Sequence, residues 1–108
     1  MNREMCLDEA KKCVCTDRNQ QYGEPEQNFA VIAQLWQTYL QATLKSDEIE
    51  ILPADVAMMM VLFKTARVAT AYQAKADSFV DMAGYAACGC ELATGYSPFE
   101  AQTERNDG

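Results

Sequence analysis

Two bases and two acids near the middle of the chain have the types and spacing to do chemistry. Lys64 and Arg67 lie three residues apart near the end of a strongly apolar stretch. Asp77 and Asp81 lie four apart in Asp77-Ser-Phe-Val-Asp81-Met-Ala-Gly-Tyr85. On helices of 3.6 residues per turn each pair shares one face. An antiparallel hairpin turning near 73–76 brings Arg67 level with roughly Asp81 and gathers the four charges in an apolar setting. Such a group either holds Mg²⁺ and phosphate through hard carboxylate oxygens and cations, or neutralises itself as ion pairs, and the spacing alone favours neither. Asp77, in the first turn of its helix, also suits a helix start. Asp81 is a full turn deeper. Gly84 beside it implies close helix approach, because a glycine inside a helix costs about 1 kcal/mol relative to alanine.

A second polar patch is Arg18-x-x-x-Tyr22-Gly23, followed by Asn28 in the early turns of the next helix. Arginine can fork onto a phosphate, tyrosine can stack on a base, and helix-start amides attract anions, although Gly23-Glu24-Pro25 equally suits a plain helix corner. Asp55, three residues into its own helix, suits the exposed amides there; it also heads a face holding Met59, Leu62 and Ala66, which keeps a ligand role open. Cys13-x-Cys15 and Cys88-x-Cys90 do not chelate one ion on a helix, since residues two apart point about 200° apart, so core packing is their better account. The Met58-Met59-Met60 run reads as adaptable core filling among Val, Leu and Phe.

The elements that must position these residues follow from periodicity. Cys6, Ala10, Cys13, Val14 and Asp17 recur at helical spacing, and Gly23-Glu24-Pro25 stops one helix and starts another. Phe29, Ile32, Ala33, Trp36 and Leu40 form a core-facing stripe. Lys45 to Glu50 reads as an exposed connection, and Pro53 opens a third helix, apolar nearly all round, as in the most buried helix of a bundle. Gly95 stops the fourth. One domain spanning 1–108 is expected, with helices near 4–18, 25–44, 53–72 and 76–94, a mobile tail over 96–108 and no strand: an all-α four-helix bundle. Nine basic against sixteen acidic residues give a net charge of −7, which argues against nucleic acid or an anionic membrane as the main partner. No apolar run reaches the roughly 18 residues of a membrane span and no signal-peptide core is visible, so a cytoplasmic protein with reduced thiols is expected. Trp36, Tyr39, Met58 to Met60 and Phe63 are more large apolar side chains than one small bundle readily hides, which predicts a homo-oligomer.

Asp17-Arg18-Asn19-Gln20-Gln21-Tyr22-Gly23-Glu24-Pro25-Glu26-Gln27-Asn28-Phe29, Asp55-Val56-Ala57, Lys64-Thr65-Ala66-Arg67 and Asp77 to Ala86 resemble a small phage and prophage domain with the pattern R-x-x-x-Y-G, N-F, D-V-A, K-x-x-R, D-x-x-x-D-x-x-G-Y-A. The resemblance spans Asp17 to about Leu92. More distantly, Asp77 to Tyr85 is similar to the last metal-binding helix of the MazG-like all-α nucleoside triphosphate pyrophosphohydrolases. Those enzymes hold Mg²⁺ with E-x-x-E on one helix and E-x-x-D on the next; here the third helix has no E-x-x-E, and Lys64 and Arg67 stand where acids would continue. The resemblance implies a MazG-like bundle that handles a nucleotide or other small phosphorylated ligand, either as a Mg²⁺-dependent pyrophosphohydrolase or as a binder without turnover. Asp77 and Asp81, with Asp55, are the metal candidates. Asp77, Asp81 and Lys64 are the catalytic ones, and Arg18, Tyr22, Asn28, Arg67 and Tyr85 would hold the nucleotide. A structural or host-interaction protein with buried ion pairs is the alternative from a different class.

Overall fold

The computed structural model describes residues 1–17 and 25–95. The sequence motif at Arg18 and Tyr22 and the tail at 96–108 lie outside the described residues. The rest is helical, with no strand among the described residues. Helix α1 covers Arg3–Lys12 and runs on into a π-helical turn over Cys13–Asp17. Helix α2 is Pro25–Leu44, α3 is Pro53–Thr70 and α4 is Ala76–Thr94.

The ends of these helices have local causes. Asn2 caps α1 by accepting the Met5 amide at 2.8 Å, while Lys11 and Lys12 sit in its last turn, where the dipole favours cations. At the end of α2, Lys45 adopts a left-handed φ of 52°, and the Ser46 amide donates to the Gln41 carbonyl at 3.1 Å, the 6→1 bond of a Schellman ending on a residue other than glycine. The connection that follows is tied down rather than merely exposed. Gln41 Nε2 donates to the Ile49 carbonyl at 2.9 Å, and Gln37 Oε1, one turn earlier on the same face, accepts the Ile51 amide at 2.8 Å. Two glutamines therefore aim the chain into α3.

Pro53 starts α3, and Asp55 closes its first turn: its carboxylate accepts the Leu52 amide at 2.8 Å and its own amide donates to the Leu52 carbonyl at 2.9 Å. The capping reading of Asp55 therefore describes what the side chain does. Asp55→Ala is expected to destabilise the protein by about 1 kcal/mol, measurable by thermal denaturation. Helix α4 ends at Gly95, whose left-handed φ of 66° lets its amide donate to the Glu91 carbonyl.

Helices α3 and α4 form the central hairpin, with α1 packed on α4 and α2 mainly on α3. The core joins Phe29 and Ala33 of α2, Val56 and Ala57 of α3 and Cys88 of α4, with Val14, Ile32, Trp36, Ile51, Met60, Tyr85 and Leu92 packed around it. This core is small. Helix α3, expected from its composition to be buried all round, is covered by the described residues on one side only: Met58, Met59, Leu62 and Phe63 are 39–68% exposed. The methionine run is accordingly core filling only in part, with Met60 half-buried and its two neighbours at the surface. Hydropathy reports that a helix prefers burial, and the described helices cover only part of its circumference. Among the cysteines, Cys88 is buried in the core, whereas Cys15 and Cys90 are exposed and none is in a disulfide.

Candidate functional site

The site is built on the α3–α4 hairpin and roofed by the π-helical turn. Lys64 Nζ and Asp81 Oδ2 are 2.8 Å apart, with the lysine side chain 18% exposed and the carboxylate 39%. The register follows from where the helices stop. Helix α3 ends at Thr70, two residues short of the expected boundary, so residues equidistant from about Gln73 face each other. Lys64 therefore meets Asp81, the Thr65 hydroxyl lies 3.4 Å from the Met82 sulfur, and Arg67 is carried past Asp81 toward Ser78.

Arg67 is thus not the partner of Asp81. Its guanidinium sits over the ring of Phe63, 5.2 Å from the centroid, and lines a separate hollow of about 230 Å³ with Val68, Thr70, Ala71, Lys75 and Ser78 at the turn between the two helices. Asp77 is exposed in the first turn of α4, one turn before Asp81 on the same face. Among the described residues no three or more Cys, Asp or Glu side chains come together as a metal-holding group, so Asp55 stands apart from Asp77 and Asp81.

Asp81 borders a half-open pocket of about 100 Å³, lined also by Cys13, Val14, Val80, Gly84, Tyr85 and Cys88. Gly84 makes this packing possible: a Cβ there would lie 2.9 Å from Val14 Cγ1, closer than carbon atoms tolerate. The glycine thus lets the π-helical turn settle directly on α4, next to the ion pair. π-turns of this kind recur at functional sites. Tyr85 is half-buried, and its ring stacks on Phe29 of α2 with centroids 6.2 Å apart and planes inclined by 30°. Asn28, also half-buried, immediately precedes Phe29. Segment 18–24, which carries Arg18 and Tyr22, connects in sequence the turn that roofs the pocket to the helix that stacks on Tyr85.

The structure therefore pairs Lys64 with Asp81, sets Asp81 and Tyr85 in the wall of one pocket, places Arg67 in its own hollow, and leaves Asp77 at the surface. Sequence reasoning missed the pocket wall contributed by Cys13, Val14 and Cys88. The available signal was Gly84, whose implied close neighbour is the β-branched Val14.

A group the size of phosphate fits this pocket. A whole nucleotide does not, since sites that enclose drug-sized ligands run to about 300–1,000 Å³. No helix among the described residues is long and apolar enough to cross a membrane.

Comparison with known proteins places the chain among phage proteins. It is 46% identical over 86 residues to the Gene 55 protein of Mycobacterium phage D29, covering 79% of this chain and 51% of that protein. It is 38% identical over 81 residues to the Gene 55 protein of Mycobacterium phage L5, covering 74% and 47%. The chain thus spans about half the length of these relatives. No solved structure matches it. The model of the domain of unknown function DUF6378 matches residues 5–93, which takes in every described helix almost to its ends, and the chain belongs to that family.

Proposed function

We propose that the protein handles a nucleotide or other small phosphorylated ligand, with Lys64 and Asp81 as the hub of the site. The observation that carries this reading is the Lys64–Asp81 pair, whose carboxylate borders a phosphate-sized pocket lined also by Gly84 and Val14. An ammonium keeps three donors, of which Asp81 takes one, so Lys64 can meet a phosphate oxygen without leaving the pair. Asp81 alone would repel that phosphate. A Mg²⁺ ion held by Asp81 together with the ligand's phosphates would remove the conflict, since that ion is usually bound through one or two carboxylates and phosphate oxygens. Asp81 and Asp77, one turn apart, fit an ion brought in with the ligand rather than a preformed cage. Arg18 and Asn28 would then serve the remaining phosphate and sugar groups and Tyr22 and Tyr85 the base, while Arg67, in its separate hollow at the helix turn, stands outside this site.

The similarity of Asp77 to Tyr85 to the last metal-binding helix of MazG-like pyrophosphohydrolases supports the same reading and adds hydrolysis to it: Mg²⁺ would orient water while the bases stabilise the developing charge. With two carboxylates available rather than four, binding is the better-supported half. One observation favours a different class. The Lys64–Asp81 pair is mutually compensated, as in a purely structural ion pair.

Thermal-shift measurements with nucleoside mono-, di- and triphosphates, each with and without Mg²⁺, test the proposal, because a ligand that binds only the folded state raises Tm. A Mg²⁺-dependent rise with a nucleotide is expected, and release of pyrophosphate from a triphosphate would add turnover. No shift with any of them at millimolar concentration contradicts the proposal and leaves the structural pair.

A further inference from the structure

The outer face of α3 is apolar in its middle and charged at its two ends, with opposite signs. Met58, Met59, Leu62 and Phe63 occupy the centre at 39–68% exposure, and the exposed Ala66 continues the stripe. Asp55 lies at the amino end, its carboxylate held toward the first turn by the Leu52 amide. Arg67 lies toward the carboxyl end, its guanidinium kept at the edge of the stripe by the Phe63 ring 5.2 Å away.

We propose that this face seats a second copy of the chain, the two α3 helices packing antiparallel about a two-fold axis level with Val61, beside Leu62. Isologous packing requires one surface to be complementary to itself, and opposite charges at the two ends of a stripe satisfy that in the antiparallel sense alone. Each Asp55 then comes beside the partner helix's Arg67, whereas a parallel pair would set acid against acid and base against base. Met59 and Phe63, equally far from the axis on either side, interleave with their symmetry mates, and Ala66 allows the backbones to approach.

The area is sufficient. Four large side chains at these exposures present on the order of 400 Å², within the roughly 300–600 Å² of the largest patch on a typical monomer. Two such faces with their charged ends approach the roughly 1,000 Å² that a specific interface needs. Pairing also supplies the missing cover for a helix whose composition is that of a fully buried one. An anionic membrane or nucleic acid would instead meet a chain of net charge −7. The inference is independent of the nucleotide reading.

Light scattering after size exclusion, on the full chain at 10–100 µM, tests it. The wild type is expected to elute at twice the monomer mass. Leu62→Glu, which places like charges across the axis while altering only an exposed side chain, is expected to give the monomer mass with the circular dichroism spectrum unchanged. Arg67→Glu should weaken the dimer at least tenfold in Kd, whereas Arg67→Lys, which keeps the end charge, should preserve it. A monomeric wild type at 100 µM would overturn the proposal and leave the face to a different protein. So would a Leu62→Glu or an Arg67→Glu dimer as tight as wild type.

Discussion

Gly84→Leu is expected to destabilise the protein by about 3 kcal/mol, the upper part of the usual range for inserting bulk into a packed site. For a chain of this size that lowers Tm by more than about 10 °C. The first atom added would already lie 2.9 Å from Val14 Cγ1, and a β-branched valine has no long stem to swing aside. The remaining leucine atoms must then lift the π-helical turn off α4. Gly89 supplies the control. A Cβ there also meets an atom at 2.9 Å, but it is Cε of Met58, the free end of a flexible side chain, with Ala57 Cβ next at 3.1 Å. Gly89→Ala should therefore lie near neutrality, the gain of about 1 kcal/mol in helix propensity offsetting mild crowding. Thermal denaturation checks both, and a Gly84→Leu protein as stable as wild type would mean that the roof of the pocket is not held by this contact.

The second large effect concerns the ion pair. Asp81→Asn leaves the Lys64 ammonium, 18% exposed, without its anion. Fully buried pairs cost about 3–5 kcal/mol to break this way and exposed ones about 0–1. With the carboxylate 39% exposed, about 1–2 kcal/mol is expected. Lys64→Met removes the stranded charge, so the double variant Lys64→Met with Asp81→Asn should regain most of that loss. Pairing the change with Arg67→Met should not, because Arg67 sits over Phe63 and makes no ion pair with Asp81. Rescue by Arg67→Met would mean that the two helices have a different register in solution.

The helical architecture was legible because its signals are local. Pro25 and Pro53 open helices, Gly95 closes one, and the Phe29, Ala33 and Trp36 stripe faces the core as its period demands. The identity of the partner for Asp81 was not, because pairing across a hairpin depends on where each helix stops. A shift of two residues at Thr70 exchanges Arg67 for Lys64. Gly84 carried a readable message, that something comes close, but nothing in its neighbourhood names Val14, seventy residues earlier. Helix α3 illustrates the converse. Its sequence states a preference for burial without saying what supplies the cover, and Leu62, 68% exposed, shows that the described residues do not supply it.

The proposed role of Lys64 and Asp81 in holding a phosphorylated ligand is tested most directly by isothermal titration of nucleoside triphosphates in Mg²⁺ into wild type, Lys64→Met, Asp81→Asn and the double variant. Wild type is expected to bind, with affinity falling when Mg²⁺ is chelated. Each single variant should bind at least tenfold more weakly, equivalent to about 1.4 kcal/mol. The double variant should remain as weak as the singles, even though its stability recovers. Equal affinity in all four proteins, or none in the wild type, would contradict the account and leave Lys64–Asp81 as a pair that only holds two helices together.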